Sequence, residues 1–437
     1  MSLPYNEQGH LLIGGIDAVS LTETYGTPLF VYDVERIRKN ARAFVKTFEE
    51  RGMKAQVAYA SKAFSSVAIL QVAKQENLSL DVVSQGELYT ALKAGFPVEK
   101  IHLHGNNKSL EELEMAVEQE IGCIVVDNFY EIDLLAAILE EKGKEMDVLL
   151  RVTPGIEAHT HDYILTGQED SKFGFDLSSG QADLAFQRIS NSERIHLIGL
   201  HCHIGSQIFE TSGFLMATKK LFASMDEWRG KYGFTAEVLN LGGGFGIRYT
   251  KEDDPLELDA YAHALINEVN EQAVEKNYPI PEIWIEPGRA IVGDAAVTLY
   301  SIGAIKEIPG VRKYISVDGG MTDNLRPALY HAKYEAAVAN RMDAPVHEKV
   351  SVAGKCCESG DMLIWDVELP EVSHQDILAV MSTGAYGYSM SNNYNRFPRP
   401  AVVFVENGEH QLVIERENYE DLLRLDCSYI KGEESLT

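Results

Sequence analysis

The chain has 437 residues, which is enough for two domains that each bury a core. Its hydrophobic content of 45% and its charged content of 24% are ordinary for a soluble globular protein. The formal net charge of −27 argues against nucleic acid or an anionic membrane as a partner, so an anionic substrate would have to be held by local arginines.

The N-terminus and the cysteines indicate a cytoplasmic protein. Residues 1–5 contain neither a basic region nor a long apolar run, so we expect no signal peptide. No apolar run is long enough to span a bilayer. The cysteines are odd in number and form no CxxC pair, which is typical of reduced cytosolic thiols. They are Cys123, Cys202, Cys356, Cys357 and Cys427.

The chain begins with an irregular polar segment and then alternates strands and helices. Residues Pro28–Asp33 follow a Gly-Thr-Pro turn and are predicted to form a strand, and a helix is predicted from about Val34 to Arg51. Eight apolar strands then alternate with amphipathic helices. The strands are Gln56–Ala60, Leu80–Val83, Ile101–Leu103, Cys123–Val126, Asp147–Val152, Ile195–His203, Val238–Leu241 and Glu282–Ile285. The helices include Gly86–Ala94, Leu110–Glu120, Tyr130–Lys142, Gln181–Ser190, Gly213–Tyr232 and Asp259–Asn277.

Continuous apolar strands in this alternation indicate a parallel sheet covered by helices. Eight strands are the number that closes a (β/α)8 TIM barrel, and the span fits the usual length of that fold. A doubly wound open sheet is the alternative, although it usually has fewer strands.

After Arg289 the pattern changes to short strands separated by turns, which is typical of an antiparallel all-β domain. The sequence therefore predicts an α/β protein with a TIM barrel over residues 34–290. An antiparallel, Greek-key-like β domain is predicted for residues 1–33 and 291–437, so that it also takes the N-terminal strand. Its strands are Val297–Ile305, Tyr314–Val317, Val350–Val352, Asp361–Leu363, Ile377–Val380, Ala401–Glu406 and His410–Arg416.

Lys62 follows the first barrel strand, and functional groups of such barrels lie at the C-terminal strand ends. A lysine at the end of a buried strand is costly unless its charge is paired or removed, and a neutral amine is a nucleophile for carbonyls. Lys62 is therefore a candidate Schiff-base lysine. The alternative is a rim lysine whose ammonium reaches water. Other polar residues at strand ends are Asp81, Ser84, His104, Arg151, His201 and His203.

Glycine-bearing loops follow the last two barrel strands. They are Gly242–Gly246 and Glu286–Arg289. Backbone N–H groups without a Cβ nearby can cradle a phosphate, and barrels often bind phosphate with these two loops. The alternative for a glycine run is a tight turn.

A phosphate site, an imine-forming lysine and a strand-end carboxylate together suggest pyridoxal phosphate. Glu286 would keep the cofactor's ring nitrogen protonated, and His203 would lie on the ring face. The alternative for Glu286 is an ion pair with Arg289. His201 and His203 share a strand face and could bind zinc, but the further ligands that such sites need match no known spacing, so we predict no metal.

Several motifs carry a resemblance over nearly the full length. They are Tyr59–Ala63, His201–Gln207, Leu241–Gly246, Glu286–Arg289, Asp318–Gly320, Arg326–Tyr330, Cys357–Asp361 and Gly384–Tyr386. The chain resembles the fold-type III, alanine-racemase-like pyridoxal-phosphate decarboxylases, and most closely the diaminopimelate decarboxylases. Phe64 departs from the family, which often has Asn after Lys-Ala; we interpret this as a change in the entry to the following helix.

The resemblance implies the roles of individual residues. The implied catalytic residues are Lys62, His203 and the proton donor Cys357. The implied cofactor ligands are Lys62, Asp81, His203, Ser206, Gly243, Gly244, Glu286, Gly288, Arg289 and Tyr386. The implied substrate ligands are Arg289, Arg326, Tyr330, Glu358 and Tyr386. It also implies a homodimer with shared active sites, in which Cys357 and Glu358 serve the partner subunit. Locally, Cys357 could instead be a buried small hydrophobe and Arg326 a surface turn.

The implied reaction is decarboxylation of meso-2,6-diaminopimelate to L-lysine and CO2, the last step of lysine biosynthesis. Arg289, Arg326 and Glu358 would suit a distal group that bears both a carboxylate and an ammonium. An ornithine- or arginine-type decarboxylase and an inactive cofactor-binding relative remain alternatives. The segment Glu157–Lys172, rich in His, Asp and Gly, is a candidate lid over the site.

Overall fold

The computed structural model describes residues 3–156 and 171–429. The chain divides into two compact units, which we call the β unit (Met1–Ile37, Arg248–Glu252 and Val292–Thr437) and the barrel unit (Arg38–Ile247 and Asp253–Ile291). The candidate lid Glu157–Lys172 lies outside the described residues except for its last two positions. None of the helices in the described ranges is long and apolar enough to cross a membrane.

The first elements of the chain are short. Strands β1 (Leu12–Ile13) and β2 (Ile16–Asp17) pair antiparallel, and helix α1 (Ala18–Tyr25) follows them. Strand β3 (Leu29–Asp33) and helix α2 (Val34–Glu50) come next.

Eight parallel strands close into a barrel, which confirms the predicted fold, because each pairs with the next and β12 pairs with β4. They are β4 (Ala55–Ala60), β5 (Ser79–Val82), β6 (Ile101–Leu103), β7 (Cys123–Val126), β8 (Met146–Thr153), β10 (Ile195–His201), β11 (Val238–Asn240) and β12 (Glu282–Ile285). A further two-residue strand, β9 (Phe175–Asp176), pairs with the end of β8.

Four of the barrel helices begin soon after a strand end, where polar side chains cap them. The side chains of Ser66, Ser84, Ser109 and Asn128 each accept a hydrogen bond from a backbone N–H of the first helical turn. The helices are α3 (Val67–Gln75), α4 (Gln85–Lys93), α5 (Leu110–Glu118), α6 (Phe129–Lys142), α7 (Gln181–Ser190), α8 (Ser212–Tyr232), α9 (Leu258–Glu275) and α10 (Arg289–Val292).

The β unit is built on one large sheet. Its further strands are β13 (Ala296–Ile308), β14 (Arg312–Val317), β15 (Ala336–Val338), β16 (Glu348–Ala353), β17 (Met362–Leu369), β18 (Ile377–Val380), β19 (Ala401–Glu406) and β20 (Glu409–Ile414). The short helices α11 (Arg326–Tyr330) and α12 (Tyr419–Leu423) complete the unit.

The sheet order is β17-β16-β14-β13-β3-β19-β20, and β18 pairs with both β13 and β15. The N-terminal strand β3 therefore belongs to this sheet, as predicted. The sheet is mixed rather than purely antiparallel, because β3 pairs parallel with β19 and β14 pairs parallel with β16. Both pairs are joined by long connections, which permit parallel pairing, whereas the sequence pattern reveals only strands and intervening turns.

Candidate active site

Lys62 follows β4 in a short 3₁₀ helix, Ser61–Ala63. Ser61 and Ala63 are buried, whereas Lys62 is exposed. The hydroxyl of Tyr59 donates to the carbonyl of Phe64 at 2.7 Å and fixes this turn. From the sequence we expect Lys62 to be partly buried. It is exposed because the turn buries Ser61 and Ala63 and directs the side chain between them outward. This exposure leaves the Lys62 amine accessible to a carbonyl compound, but a rim lysine would also be exposed. The groups that surround the strand end therefore distinguish the two interpretations.

Glu286 follows β12 and is buried at the centre of a polar cluster. Asn240 Nδ2 donates to its Oε1 at 2.7 Å, His104 Nε2 lies 3.2 Å from Oε1, and His201 Nε2 lies 3.3 Å from Oε2. Within the described part of the chain, these three side chains are the polar partners of the Glu286 carboxylate. Glu286 therefore does not form the ion pair with Arg289 that we considered as the alternative.

The cluster determines the charge of Glu286. Burial opposes ionisation, but the neighbouring imidazoles of His104 and His201 outweigh it and hold the pKa of Glu286 well below its usual range. Burial lowers the pKa of His201 to about 4, against the attraction of Glu286, so this imidazole is neutral at neutral pH. The result is an ionised carboxylate, which is what a ring nitrogen needs in order to stay protonated.

Asp81, predicted as a cofactor ligand, lies buried on β5. Burial raises its pKa, although the charges of His104 and Lys62 act in the opposite direction. Its Oδ1 lies 3.7 Å from His104 Nε2, so Asp81 borders the Glu286 cluster. Ser84, from the same strand end, instead caps helix α4 by accepting from the Glu87 N–H at 3.2 Å.

His203 is half-buried, and its Nδ1 accepts the Gly243 N–H at 3.3 Å. This contact fixes a tautomer in which Nδ1 carries no proton. Burial, reinforced by the charges of Lys62 and Arg151, places the pKa of His203 well below its usual range. His201 and His203 thus have different partners. Among the described residues, the potential metal-ligand atoms that lie close together belong to His104, His201 and Glu286, not to the pair His201 and His203.

The loops after β10 and β11 are bonded to each other. The Gln207 side chain donates to the Ile247 carbonyl at 2.7 Å and accepts from its N–H at 3.2 Å. The Ile208 N–H donates to the Gly244 carbonyl at 2.9 Å, and the Ile208 carbonyl accepts the Gly246 N–H at 3.0 Å. The glycine run is therefore fixed in shape.

Three glycines lie where backbones approach closely. A Cβ on Gly243 would lie 2.1 Å from the Glu286 carbonyl, and one on Gly288 would lie 3.0 Å from the Ala60 carbonyl. Gly244 has φ of +108° and the same lack of room. Only glycine fits at Gly243 and Gly244, so no side chain at these positions would keep a phosphate away from the main chain.

Two arginines of the barrel unit, Arg151 and Arg289, have polar partners within it. Arg289 donates from Nη2 to Ser206 Oγ at 2.9 Å, which brings together two predicted phosphate ligands. Arg151 is buried, with its Nε 3.7 Å from Asp127 Oδ2 and its guanidinium 4.3 Å from the Phe173 ring centroid. Burial lowers the pKa of Arg151 although Asp127 raises it.

The predicted substrate residues of the β unit differ in exposure. Arg326 is buried, which excludes a surface turn; its Nη1 donates to the Tyr334 hydroxyl at 2.6 Å, and its guanidinium lies 4.7 Å from the Tyr249 ring centroid. Tyr330 is 38% exposed. Tyr386 is half-buried and has φ of +60°, an uncommon backbone conformation for a tyrosine.

Cys357 and Glu358 are exposed, so Cys357 is not a buried small hydrophobe. The main chain of their loop is nevertheless fixed. The buried carboxylate of Asp361 accepts the Cys356 N–H at 2.8 Å, and Asn395 Oδ1 accepts the Cys357 N–H at 2.9 Å. The loop presents its side chains outward on a fixed backbone.

Sequence reasoning missed Asn240, Asp361 and Asn395. Asn240 could have been found, because it is a polar residue near a strand end, two residues before the glycine run begins. Asn395 carries no such local signal, since its bond joins segments that are distant in sequence. Asp361 ends the Cys357–Asp361 motif, but nothing in the sequence indicated that its carboxylate bonds the Cys356 N–H five residues earlier.

The barrel unit's residues fit pyridoxal phosphate. An accessible amine suits its aldehyde, an ionised carboxylate suits its ring nitrogen, and fixed glycine loops suit its phosphate. The fold and this site define a pyridoxal-phosphate-dependent enzyme built on a (β/α)8 barrel.

Comparisons with known proteins agree. The family model described as "Pyridoxal-dependent decarboxylase, pyridoxal binding domain" matches residues 34–293. A diaminopimelate decarboxylase from Bacillus subtilis is 64% identical over 98% of this chain and 97% of the relative, and one from Staphylococcus aureus is 44% identical over 97% of this chain and 99% of the relative. The crystal structure of diaminopimelate decarboxylase from M. jannaschii in co-complex with L-lysine has a TM-score of 0.92 and 36% identity, covering 98% of both chains. The chain belongs to the diaminopimelate decarboxylase family.

Proposed function

We propose that this protein uses pyridoxal phosphate to convert meso-2,6-diaminopimelate to L-lysine and CO2. The observation that carries the cofactor chemistry is the buried Glu286 carboxylate, held by neighbouring side chains in a barrel whose glycine loops suit a phosphate. The substrate is supported by the Bacillus subtilis relative and by the M. jannaschii structure with L-lysine.

The barrel residues would bind and orient the cofactor. When bound, pyridoxal phosphate supplies an aldehyde that condenses with amines and a ring that accepts the electron pair left on the carbon when CO2 departs. Lys62 would hold the cofactor through its aldehyde, and Glu286 would keep the ring nitrogen protonated. The neutral His203 would lie against the ring, and Asp81 would contribute to cofactor binding. The phosphate ligands would be Ser206, Gly243, Gly244, Gly288, Arg289 and Tyr386.

The distal end of the substrate carries a carboxylate and an ammonium. Arg289 and Arg326 would bind the carboxylate, and Glu358 the ammonium, with Tyr330 and Tyr386 completing the contacts. The buried Arg326 is suited to this role, because Tyr334 and Tyr249 fix its guanidinium while it keeps its charge.

Cys357 would donate the proton to the carbon that loses CO2. We propose that it does so in the partner subunit of a cytoplasmic homodimer, together with Glu358. Both residues are exposed on a fixed loop of the single chain, which suits groups that act outside their own subunit.

The direct test measures CO2 release from diaminopimelate, ornithine, arginine and lysine side by side, with the cofactor added. We expect release from diaminopimelate only, because the other three lack a distal carboxylate for the arginines. Faster release from ornithine or arginine would assign the chain to a different basic amino acid. An absorbance band of bound cofactor without CO2 from any of the four would indicate an inactive cofactor-binding relative.

A further inference from the structure

Asn240, the last residue of β11, is fully buried and joins two parts of the candidate active site. Its Nδ2 donates to Glu286 Oε1 at 2.7 Å, and its Oδ1 accepts the Gly242 N–H at 2.9 Å. The Glu286 N–H in turn donates to the Gly242 carbonyl at 2.9 Å. One side-chain amide therefore links the carboxylate to the start of the glycine loop.

The other oxygen of Glu286 is also held. His201 Nε2 lies 3.3 Å from Oε2. His201 Nδ1 is buried and has no hydrogen-bond partner among the described residues, which favours the tautomer with its proton on Nε2, where it is donated to Glu286. A carboxylate whose two oxygens accept from different strands cannot rotate without breaking a buried hydrogen bond.

We infer that Asn240 is a positioning residue for Glu286, with His201 as the second donor, and that together they aim the ionised carboxylate at the ring nitrogen of pyridoxal phosphate. This inference rests on the proposed function, because it assigns the ring nitrogen to Glu286. It adds two residues that neither contact the substrate nor belong to the cofactor ligands proposed above.

The physical reason lies in how a buried carboxylate stays charged. Burial favours the neutral acid, and donated hydrogen bonds favour the anion. Replacing Asn240 by leucine removes the shortest of these bonds and also leaves the buried Gly242 N–H without its acceptor. Replacing it by aspartate places a second carboxylate against Oε1, and two adjacent carboxylates cannot both be ionised. In each case Glu286 loses the amide donor at its Oε1, so its pKa should rise and its hold on a protonated ring nitrogen should weaken, although His104 and His201 remain beside it.

The test uses holoenzyme loaded with cofactor that carries ¹⁵N in the pyridine ring, because the nitrogen's NMR shift reports its protonation directly. Wild type should show the protonated shift. Asn240→Leu and Asn240→Asp should both move it toward the neutral value. We expect the cofactor dissociation constant to rise by roughly tenfold to a hundredfold, as for a buried polar group that loses its partner.

A second pair of variants keeps the test decisive if Asn240→Leu does not fold. His201→Phe should also move the nitrogen shift, whereas His201→Gln, which can donate from a similar position, should retain most of the protonated signal. Thr218→Val is the control, because Thr218 is fully buried in the same unit and its hydroxyl, among the residues that the structure describes, bonds only to the Phe214 carbonyl in its own helix. It should lower stability without moving the shift.

The outcomes separate the inference from the proposed function. An unchanged ¹⁵N shift in the folded Asn240 and His201→Phe variants would overturn the positioning role. A neutral ring nitrogen in the wild-type holoenzyme would instead overturn the assignment of Glu286, whatever the variants show.

Discussion

The barrel's strand ends and the Cys357 loop hold functional groups in opposite ways. Glu286 is buried, and the side chains of Asn240 and His201 hold its carboxylate directly. Cys357 is exposed, and its main chain is fixed by a hydrogen bond from its N–H to Asn395. The first arrangement fixes a charged carboxylate in the interior of a single chain. The second presents a thiol outward from a fixed backbone, which is what a residue needs if it completes another subunit's site.

A second contrast concerns buried carboxylates. Glu286 has a pKa well below its usual range, whereas burial raises the pKa of Asp323 in the β unit to about 7 although it accepts bonds from Tyr300 and the Gly320 N–H. Burial is common to both. The neighbouring imidazoles of His104 and His201 make the difference, so the kind of neighbour decides which acid is charged.

The largest expected effect comes from Lys62→Ala, which removes the amine of the barrel site. We expect activity to fall by on the order of 10⁴-fold or more, the scale seen when a covalent nucleophile is removed. Borohydride reduction of the wild-type holoenzyme followed by peptide mapping should label Lys62. A label on another lysine would show that this strand end is not where the cofactor is attached.

Cys357→Ala tests the other region. Removing a general acid should slow the reaction by roughly 10²–10⁴-fold while cofactor binding is kept. Mixing inactive Lys62→Ala with inactive Cys357→Ala under conditions that exchange subunits should then restore activity, because a mixed dimer has one site with both defects and one with neither. With half the dimers mixed and one good site in each, recovery should approach about a quarter of wild type.

Subunit exchange has to be verified separately, for example by mass spectrometry of differently tagged chains. If exchange is complete and no activity returns, Cys357 and Lys62 act within one chain. The outward presentation of the loop would then need another explanation.

The sequence predicted the parts of these regions that have a local signal. Apolar strands such as Ile101–Leu103 indicated the barrel, and the position of functional groups at barrel strand ends singled out Lys62 and Glu286. Cofactor and substrate roles beyond these came from motif resemblance. The parallel pairing of β3 with β19 and the bond from Cys357 to Asn395 were not predictable, because both depend on segments that are distant in the chain.

Arg326→Ala should have an intermediate effect that depends on the substrate. Loss of a charge-assisted contact to the distal carboxylate costs about 1.5–3 kcal/mol, or roughly tenfold to 150-fold in kcat/KM for diaminopimelate. Any slow activity on lysine, which has no distal carboxylate, should change far less. Equal losses on both substrates would mean that the buried guanidinium supports the β unit's structure rather than the substrate.

The smallest expected effect on activity belongs to Asp323→Asn, which tests the contrast between the two buried acids through stability. The pKa of Asp323 is about 7 in the folded protein, above the ordinary value of 3.8. The folded state therefore binds the proton more tightly than the unfolded state does. The resulting stabilisation is fully present below the unfolded pKa and is lost as the pH rises through 7. Asparagine has no such proton, so urea unfolding midpoints measured from pH 5 to 8 should show the variant becoming more stable relative to wild type as the pH rises.

Tyr300→Phe sharpens the test. It removes a donor that stabilises the charged form of Asp323, so the pH window of the loss should move upward. A difference between wild type and Asp323→Asn that stays constant across this range would show that Asp323 is already ionised, like Glu286, and the contrast between the two acids would disappear.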